Sequence, residues 1–212
     1  MAIELIETIA VGYFQSNCAL VCCSASNKAV IIDPGGDADR IIDSVRRHGI
    51  TVEYILHTHA HLDHIMGTRQ VKEAIGAEIC LHADDQYIYD NLPERARMFN
   101  FTSDEPLPVD RYLEAGQKVE FGECEFDIIH TPGHSPGGIC FYTPHQGGMV
   151  FCGDTLFAGS IGRTDFWRGD YDQLIESIKT KILVLPPETL VIPGHGPNTT
   201  VAEEKMYNPF LQ

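Results

Sequence analysis

The sequence is poor in positive charge. Lys and Arg together number 15 against 30 Asp and Glu, which gives a formal net charge of −15 over 212 residues. Nucleic acids and anionic membranes bind proteins mainly through clustered positive charge. The composition therefore excludes both as the main partner.

Long apolar runs and paired cysteines are also missing. No stretch approaches the ~18 apolar residues of a membrane-spanning helix, and the N-terminal residues contain no basic segment typical of a secretion signal. The seven cysteines include no CxxC pair, so neither a disulfide framework nor a cysteine-rich zinc module is expected. The sequence accordingly predicts a cytoplasmic protein with buried, free thiols.

Several catalytic signatures do not occur. GxGxxG, GxxxxGK[ST] and HExxH are absent, which excludes the dinucleotide-binding, P-loop and zincin classes. GHSPG at residues 133–137 does match the G-x-S-x-G nucleophile elbow of serine hydrolases. That elbow needs the backbone N–H of the residue after the serine, and Pro136 at this position has none. A serine-hydrolase mechanism is therefore excluded as well.

The order of apolar runs predicts an α/β protein. Strand-like runs at residues 3–10, 18–23 and 29–32 precede a helix over 38–48, and a second strand–helix unit follows at 52–56 and 65–75. Surface helices are predicted at 84–91 and 94–99. Short strands then follow at 111–113, 118–121, 125–130, 138–142 and 149–152, before a helix over 171–182 and a strand at 189–192. This order indicates two sheets with helices outside.

Histidine is abundant, and its densest cluster is THAHLDH at residues 58–64. The cluster lies between a predicted strand and a predicted helix. In an extended segment, residues two apart point the same way, so His59 and His61 can bind one metal ion. Asp63 and His64 are redirected as the chain enters the helix. The spacing therefore favours two adjacent metal ions over a polar loop that only caps the helix.

Three further ligand-type residues follow predicted strands, each beside glycine. They are His134 in TPGHSPG, Asp154 in CGDT and His195 in PGHGP. Glycine and proline form the tight turns that leave room for a side chain to reach a shared centre. A single such segment is more often a plain turn, but their recurrence at strand ends indicates further metal ligands.

Two other residues near these segments have less specific signals. Asp33 ends a strand in the sequence IDPG, where it is either a turn former or a carboxylate that holds the histidine loop. His57 precedes THAHLDH and is expected to be a packed or hydrogen-bonded histidine. The remaining histidines, which have no partner at ligand spacing, are expected to have ordinary roles: His48, His82, His130 and His145.

THAHLDH, TPGHSPG, GDTLF and IPGHG together resemble, in order and spacing, the motifs of the metallo-β-lactamase superfamily. The resemblance extends from about residue 18 to residue 197. It is strongest to the short, single-domain bacterial type of glyoxalase-II-like hydrolase, which GRTDFWRG at 162–169 and YNPF at 207–210 also fit. It implies an αββα sandwich, a single domain over residues 1–212, and metals at one edge between the sheets.

The resemblance also implies a role for each ligand. His59, His61 and His134 would bind a first metal ion, and Asp63, His64 and His195 a second. Asp154 would bridge the two, Asp63 would in addition orient the attacking hydroxide, and Asp33 would support the ligands from behind. The cofactors would be two divalent ions, zinc in first place, with iron or manganese compatible with these ligands.

The implied activity is hydrolysis of a glutathione thioester of the S-D-lactoylglutathione type by metal-bound hydroxide. The alternative is a persulfide dioxygenase with one iron on His59, His134 and Asp154, and a weaker one is a non-catalytic metal-binding module. Arg163 and Arg168 are the candidates for binding a glutathione carboxylate. The competing interpretation is an ion pair of either arginine with Asp165 or Asp170. The sequence makes no prediction for the oligomeric state.

Overall fold

Two six-stranded β-sheets lie face to face, with helices packed on their outer faces. The computed structural model describes residues 3–212. The αββα sandwich predicted from the sequence is confirmed. No helix in this range is long and apolar enough to cross a membrane.

The first sheet contains the N-terminal half of the chain. Its strand order is β1 (Ile3–Val11), β2 (Ser16–Cys23), β3 (Lys28–Ile32), β4 (Thr51–Leu56), β5 (Glu78–Leu81) and β6 (Arg111–Tyr112). The first three strands are antiparallel, and β3 to β6 are parallel. The carboxyl ends of β3, β4 and β5 therefore lie at the same edge of this sheet.

The second sheet contains the C-terminal half. Its strand order is β14 (Thr199–Thr200), β13 (Leu190–Pro193), β10 (Met149–Gly153), β9 (Ile139–Thr143), β8 (Cys124–His130) and β7 (Lys118–Phe121). Strands β10 and β13 are parallel, and the other pairs are antiparallel. A small hairpin of β11 (Leu156–Phe157) and β12 (Ser160–Ile161) follows β10.

Strand β2 shows how the layers form. Its odd-numbered residues Ala19, Val21 and Cys23 pack between the sheets, whereas the even-numbered residues such as Leu20 face the outer helices. A strand buried on both faces has a continuous apolar sequence, as this one does. All seven cysteines are buried thiols outside any disulfide, as the sequence predicts.

Seven α-helices lie between or after the strands within residues 3–212. They are α1 (Ala38–His48), α2 (Leu62–Ile65), α3 (Thr68–Ile75), α4 (Gln86–Asp90), α5 (Leu92–Met98), α6 (Tyr171–Ser177) and α7 (Val201–Tyr207). A π-helical segment, Ile178–Ile182, continues α6, and short 3₁₀ turns occur at Ala83–Asp85 and His145–Gly147. The predicted bounds of α1 are correct, and Gly49 ends this helix with a φ of 62°.

The prediction of one helix over residues 65–75 is wrong. The structure has two helices, α2 and α3, separated at Gly67. The Gly67 N–H donates to the Pro34 carbonyl at 2.9 Å, and a Cβ at this position would lie 2.7 Å from the same oxygen. The loop between β3 and α1 thus lies directly against Gly67, and the chain changes direction at this residue between α2 and α3. The sequence also failed to indicate α7 and the short strands β11, β12 and β14.

We predict that Gly67→Ala destabilises the protein, because the added Cβ must displace the Pro34 carbonyl. Overpacking of this kind costs about 1–3 kcal/mol, measurable as a lower urea midpoint. Gln70→Ala is the control, since Gln70 is an exposed residue of α3 and such changes stay within about 0.5 kcal/mol. Equal midpoints for the two variants would contradict the prediction.

Candidate metal centre

The predicted metal ligands all lie in loops that follow strands at one edge of the sandwich. The loop after β4 contains His59 and His61 and continues into α2 with Asp63 and His64. In the second sheet, the ligands follow three different strands: His134 lies after β8, Asp154 after β10 and His195 after β13. Because the chain turns from strand to helix here, His59 and His61 face one group of ligands, and Asp63 and His64 face a neighbouring one.

The first group consists of His59, His61 and His134, all buried. Nε2 of His134 lies 2.8 Å from Nδ1 of His61 and 3.2 Å from Nε2 of His59. Burial and the neighbouring imidazoles together hold the pKa of His59 and of His61 well below the usual range. His59 and His61 therefore present neutral nitrogens, the form in which histidine binds metal.

The second group consists of Asp63, His64 and His195. Oδ2 of Asp63 lies 3.1 Å from Nε2 of His195 and 3.7 Å from Nε2 of His64. Burial opposes a positive charge on His64, but Asp154 and Asp63 outweigh it and raise the pKa of this histidine well above its usual value. Carboxylates placed to stabilise a proton here are equally placed to stabilise a bound cation.

Asp154 lies between the two groups. Its Oδ2 is 3.5 Å from Nε2 of His134, and its Oδ1 is 3.3 Å from Nε2 of His64 and 3.7 Å from Nε2 of His195. Burial works against the charge of Asp154, but the surrounding histidines, His64 first, hold its pKa well below the usual range. One carboxylate oxygen thus faces each group, as a bridging ligand requires.

The donor atoms fit divalent metal ions. Nε2 of His64 and Oδ1 of Asp154 are buried and have no hydrogen-bond partner among residues 3–212. Buried polar atoms without a partner are costly, and a cation between them would satisfy both. Imidazole and carboxylate suit zinc, iron and manganese.

Asp33 orients His64 from behind the centre. Its Oδ2 lies 3.0 Å from Nδ1 of His64 and accepts a hydrogen bond from the Thr58 hydroxyl at 2.6 Å, while its Oδ1 accepts from the Thr58 N–H at 2.8 Å. With Nδ1 facing a carboxylate, Nε2 of His64 is left for a metal. Asp33 is also in a turn, with a φ of 53°. It therefore both forms the turn and holds the histidine loop through its carboxylate.

His57 is packed behind the loop, as expected. It is fully buried, its Nε2 lies 3.2 Å from the Thr68 hydroxyl, and burial lowers its pKa to about 4. His82 and His130 differ from the expectation, because their rings stack at 4.3 Å beside Asp84. Each ring already uses one nitrogen: Nδ1 of His82 accepts from the Asp84 N–H, and Nε2 of His130 lies 3.0 Å from the Pro136 carbonyl.

Asp85 joins the two histidine loops, and the sequence did not indicate it. Its buried carboxylate accepts a hydrogen bond from the Ala60 N–H at 2.8 Å and another from the Gly137 N–H at 2.6 Å. Ala60 lies between His59 and His61, and Gly137 belongs to the His134 loop. The contacts span 25 and 52 residues of chain, so no local pattern distinguishes Asp85 from the exposed Asp84 beside it.

Comparison with known proteins agrees with this geometry. Residues 11–195 match the model of the metallo-beta-lactamase superfamily. The chain belongs to the metallo-β-lactamase superfamily. It is 42% identical to the hydroxyacylglutathione hydrolase GloC of Haemophilus influenzae over 208 residues, which cover 97% of each chain.

Solved structures of superfamily members superpose over nearly the whole chain. The BLEG-1 B3 metallo-beta-lactamase is 37% identical with a TM-score of 0.90, covering 99% of each chain. TTHA1623 in a di-iron-bound form is 40% identical with a TM-score of 0.89, covering 97% of this chain and all of the other (100%). ETHE1 from Myxococcus xanthus is 28% identical with a TM-score of 0.79, covering 99% and 84%. Fold, ligands and relatives together indicate a metal-dependent hydrolase of this superfamily.

A cavity of about 540 Å³ opens beside the metal ligands. Its floor includes His61, Asp63, His134, Asp154 and His195, and its walls are mainly apolar. Asp63 and His195 are partly exposed, whereas His59, His61, His64 and His134 are buried. A substrate can therefore reach the metal ligands from this side.

The two arginines proposed from the sequence are poorly placed for a substrate carboxylate. Arg163 lines the cavity, but its guanidinium donates to both oxygens of Asp165 at 2.7 and 2.6 Å. Arg168 is exposed, lies over the Trp167 ring, and is not among the residues that line the cavity. The ion-pair interpretation describes Arg163, and neither arginine presents a free guanidinium to this cavity.

We predict that Asp154→Ala removes both metal ions, since its two oxygens serve both groups. Elemental analysis of the purified protein should fall from about two metals per chain, as expected for a two-metal site, to almost none. Asp165→Ala is the control, because Asp165 is exposed and pairs only with Arg163. An Asp154→Ala variant that keeps its metals would refute the bridging role.

We predict that Asp85→Asn weakens metal binding, although Asp85 is not itself a predicted metal ligand. An amide has one acceptor oxygen, so either the Ala60 or the Gly137 N–H loses its partner, and supporting contacts of this kind are worth about 10–100-fold in metal affinity. Chelator competition should show this loss for Asp85→Asn and none for Asp84→Asn, whose side chain is exposed. Equal affinities in the two variants would exclude the role given to Asp85.

Proposed function

We propose that the protein hydrolyses glutathione thioesters of the S-D-lactoylglutathione type. The observation that carries this proposal is the complete set of ligands with Asp154 between two groups of donors. The 42% identity to a hydroxyacylglutathione hydrolase supports the choice of substrate class. Zinc is our first choice of metal, and the di-iron form of a relative at 40% identity supports iron as the second.

The residues of the chain define what this site can do. Two divalent ions, when bound, lower the pKa of water and polarise a carbonyl oxygen. His59, His61 and His134 would hold one ion and Asp63, His64 and His195 the other, with Asp154 available to both groups. Asp63 also faces the cavity, where its carboxylate can accept a hydrogen bond from the attacking water and orient it. Asp33 and Asp85 keep the ligands in place.

No side chain is needed as a nucleophile. Ser135, in the segment that resembles a serine-hydrolase elbow, is fully buried and is not among the residues that line the cavity. The apolar walls exclude bulk water from one side of the site, which strengthens electrostatic interactions at its floor. Given the composition and the substrate class, we propose a cytoplasmic enzyme with a small-molecule substrate.

A persulfide dioxygenase is the second candidate, because ETHE1 shares the fold at 28% identity. Such an enzyme would hold a single iron on His59, His134 and Asp154. A single-iron site of this kind leaves no role for the second group of donors. In that group, Asp63 and His195 lie 3.1 Å apart beside His64. We therefore favour the hydrolase.

The test is to assay the metal-loaded protein with three substrates in parallel. Loss of thioester absorbance with S-D-lactoylglutathione is the expected result, with no oxygen uptake on glutathione persulfide. A chromogenic cephalosporin serves as the third substrate, because a similar structure is a B3 metallo-beta-lactamase. Asp154→Ala is the inactive control. One iron per chain with oxygen consumption and no hydrolysis would overturn the proposal.

A further inference from the structure

The cavity beside the metal ligands is lined largely by aromatic and aliphatic side chains. Phe14, Met98, Phe99, Phe157 and Phe166 form most of this wall. The Phe14 and Phe99 rings are in edge contact at 5.7 Å, and Phe166 lies 4.9 Å from the His61 ring. An apolar wall of this kind gives little binding to a charged group unless a side chain of opposite charge is also present.

Two basic side chains line the cavity, and they differ in their partners. Arg163 is neutralised by Asp165, and its side chain is 62% exposed. Arg95, in α5, is only partly exposed, and it has no ion pair or side-chain hydrogen bond with any residue in 3–212. Its Nε is buried and has no partner.

A buried guanidinium nitrogen without a partner is costly in a protein interior. Acidic residues outnumber basic ones by two to one in this chain (30 against 15), so an arginine can readily be paired. Arg95 nevertheless stays unpaired at the wall of the cavity. A guanidinium has a planar set of donors that matches the two oxygens of a carboxylate.

We propose that Arg95 is a specificity-determining residue that binds a carboxylate of the substrate. The ligand class is an anionic thioester in which a weakly polar segment, packed against Phe14 and Phe99, separates this carboxylate from the scissile carbonyl. This inference rests on the proposed function for the reaction at the metal ligands. The binding of the carboxylate does not depend on that reaction, and the two can be tested separately.

The test measures binding of S-methylglutathione, which cannot be hydrolysed as a thioester, to the metal-loaded protein by calorimetry. Arg95→Ala should weaken binding by about 10–100-fold, the range for a lost charge-assisted hydrogen bond. Arg95→Lys should restore part of the affinity, because it keeps the charge without the planar fork. Arg97→Ala, which removes an exposed arginine of the same helix that is not among the residues lining the cavity, should bind within about 2-fold of the wild type.

A second ligand separates charge recognition from loss of packing. The dicarboxamide of S-methylglutathione should bind the wild type and Arg95→Ala equally weakly, because neither complex contains the ion pair. With S-D-lactoylglutathione, Arg95→Ala should raise KM more than it lowers kcat. Circular dichroism and metal content should match the wild type, since no hydrogen bond or ion pair among residues 3–212 joins the Arg95 side chain to a metal ligand.

Each outcome bears on one proposal. If S-methylglutathione does not bind the wild type, or binds Arg95→Ala equally well, the role of Arg95 is overturned while hydrolysis of the thioester can still stand. If binding depends on Arg95 but no thioester is hydrolysed, the carboxylate site stands and the proposed reaction is wrong. A loss of affinity for the dicarboxamide as great as that for the acid would assign Arg95 a packing role and overturn the proposal.

Discussion

The structure depends on the convergence of imidazole and carboxylate groups at one edge of the sandwich. Nitrogen atoms of His61 and His134 approach to 2.8 Å, and Asp154 is held among histidines with buried atoms that have no partner. Without a cation, such an arrangement combines desolvated charge with unsatisfied donors and acceptors. A bound metal converts the same contacts into coordination, so binding of metal and stability of this edge are coupled.

The sandwich supplies the rigidity that this convergence requires. Each ligand loop follows a strand whose apolar side chains are fixed in a core, and β2 contributes to the cores on both of its faces. The loops are then joined to one another by buried carboxylates. Asp33 connects the end of β3 to Thr58 and His64, and Asp85 connects the loop of His59 and His61 to that of His134. Neither carboxylate is placed to act on a substrate, yet both determine where the ligands point.

The floor and the walls of the cavity differ in chemical character. The floor contains the polar side chains of the candidate metal centre, whereas the walls are mainly apolar, with Arg95 as the unpaired cation among their described residues. The two functions we propose, reaction at the metal ligands and recognition of a carboxylate by Arg95, therefore lie on different elements. The ligand loops come from strands of both sheets, while Arg95 and Phe99 come from α5 and the segment just after it, outside the first sheet.

The sequence by itself determined most of the longer elements and the types of the candidate ligands. The periodicity of residues 38–48 predicted α1, and the spacing of THAHLDH predicted donors aimed at two neighbouring points, because both patterns act within a few residues of chain. Only the tertiary structure decided the break at Gly67 and the link through Asp85. Those features depend on contacts between segments distant in the chain, such as Gly67 with Pro34 and Asp85 with Gly137. Arg163 and Arg95 are equally basic in the sequence, and they differ only because Asp165 lies beside one of them and no acidic side chain in the described structure pairs with the other.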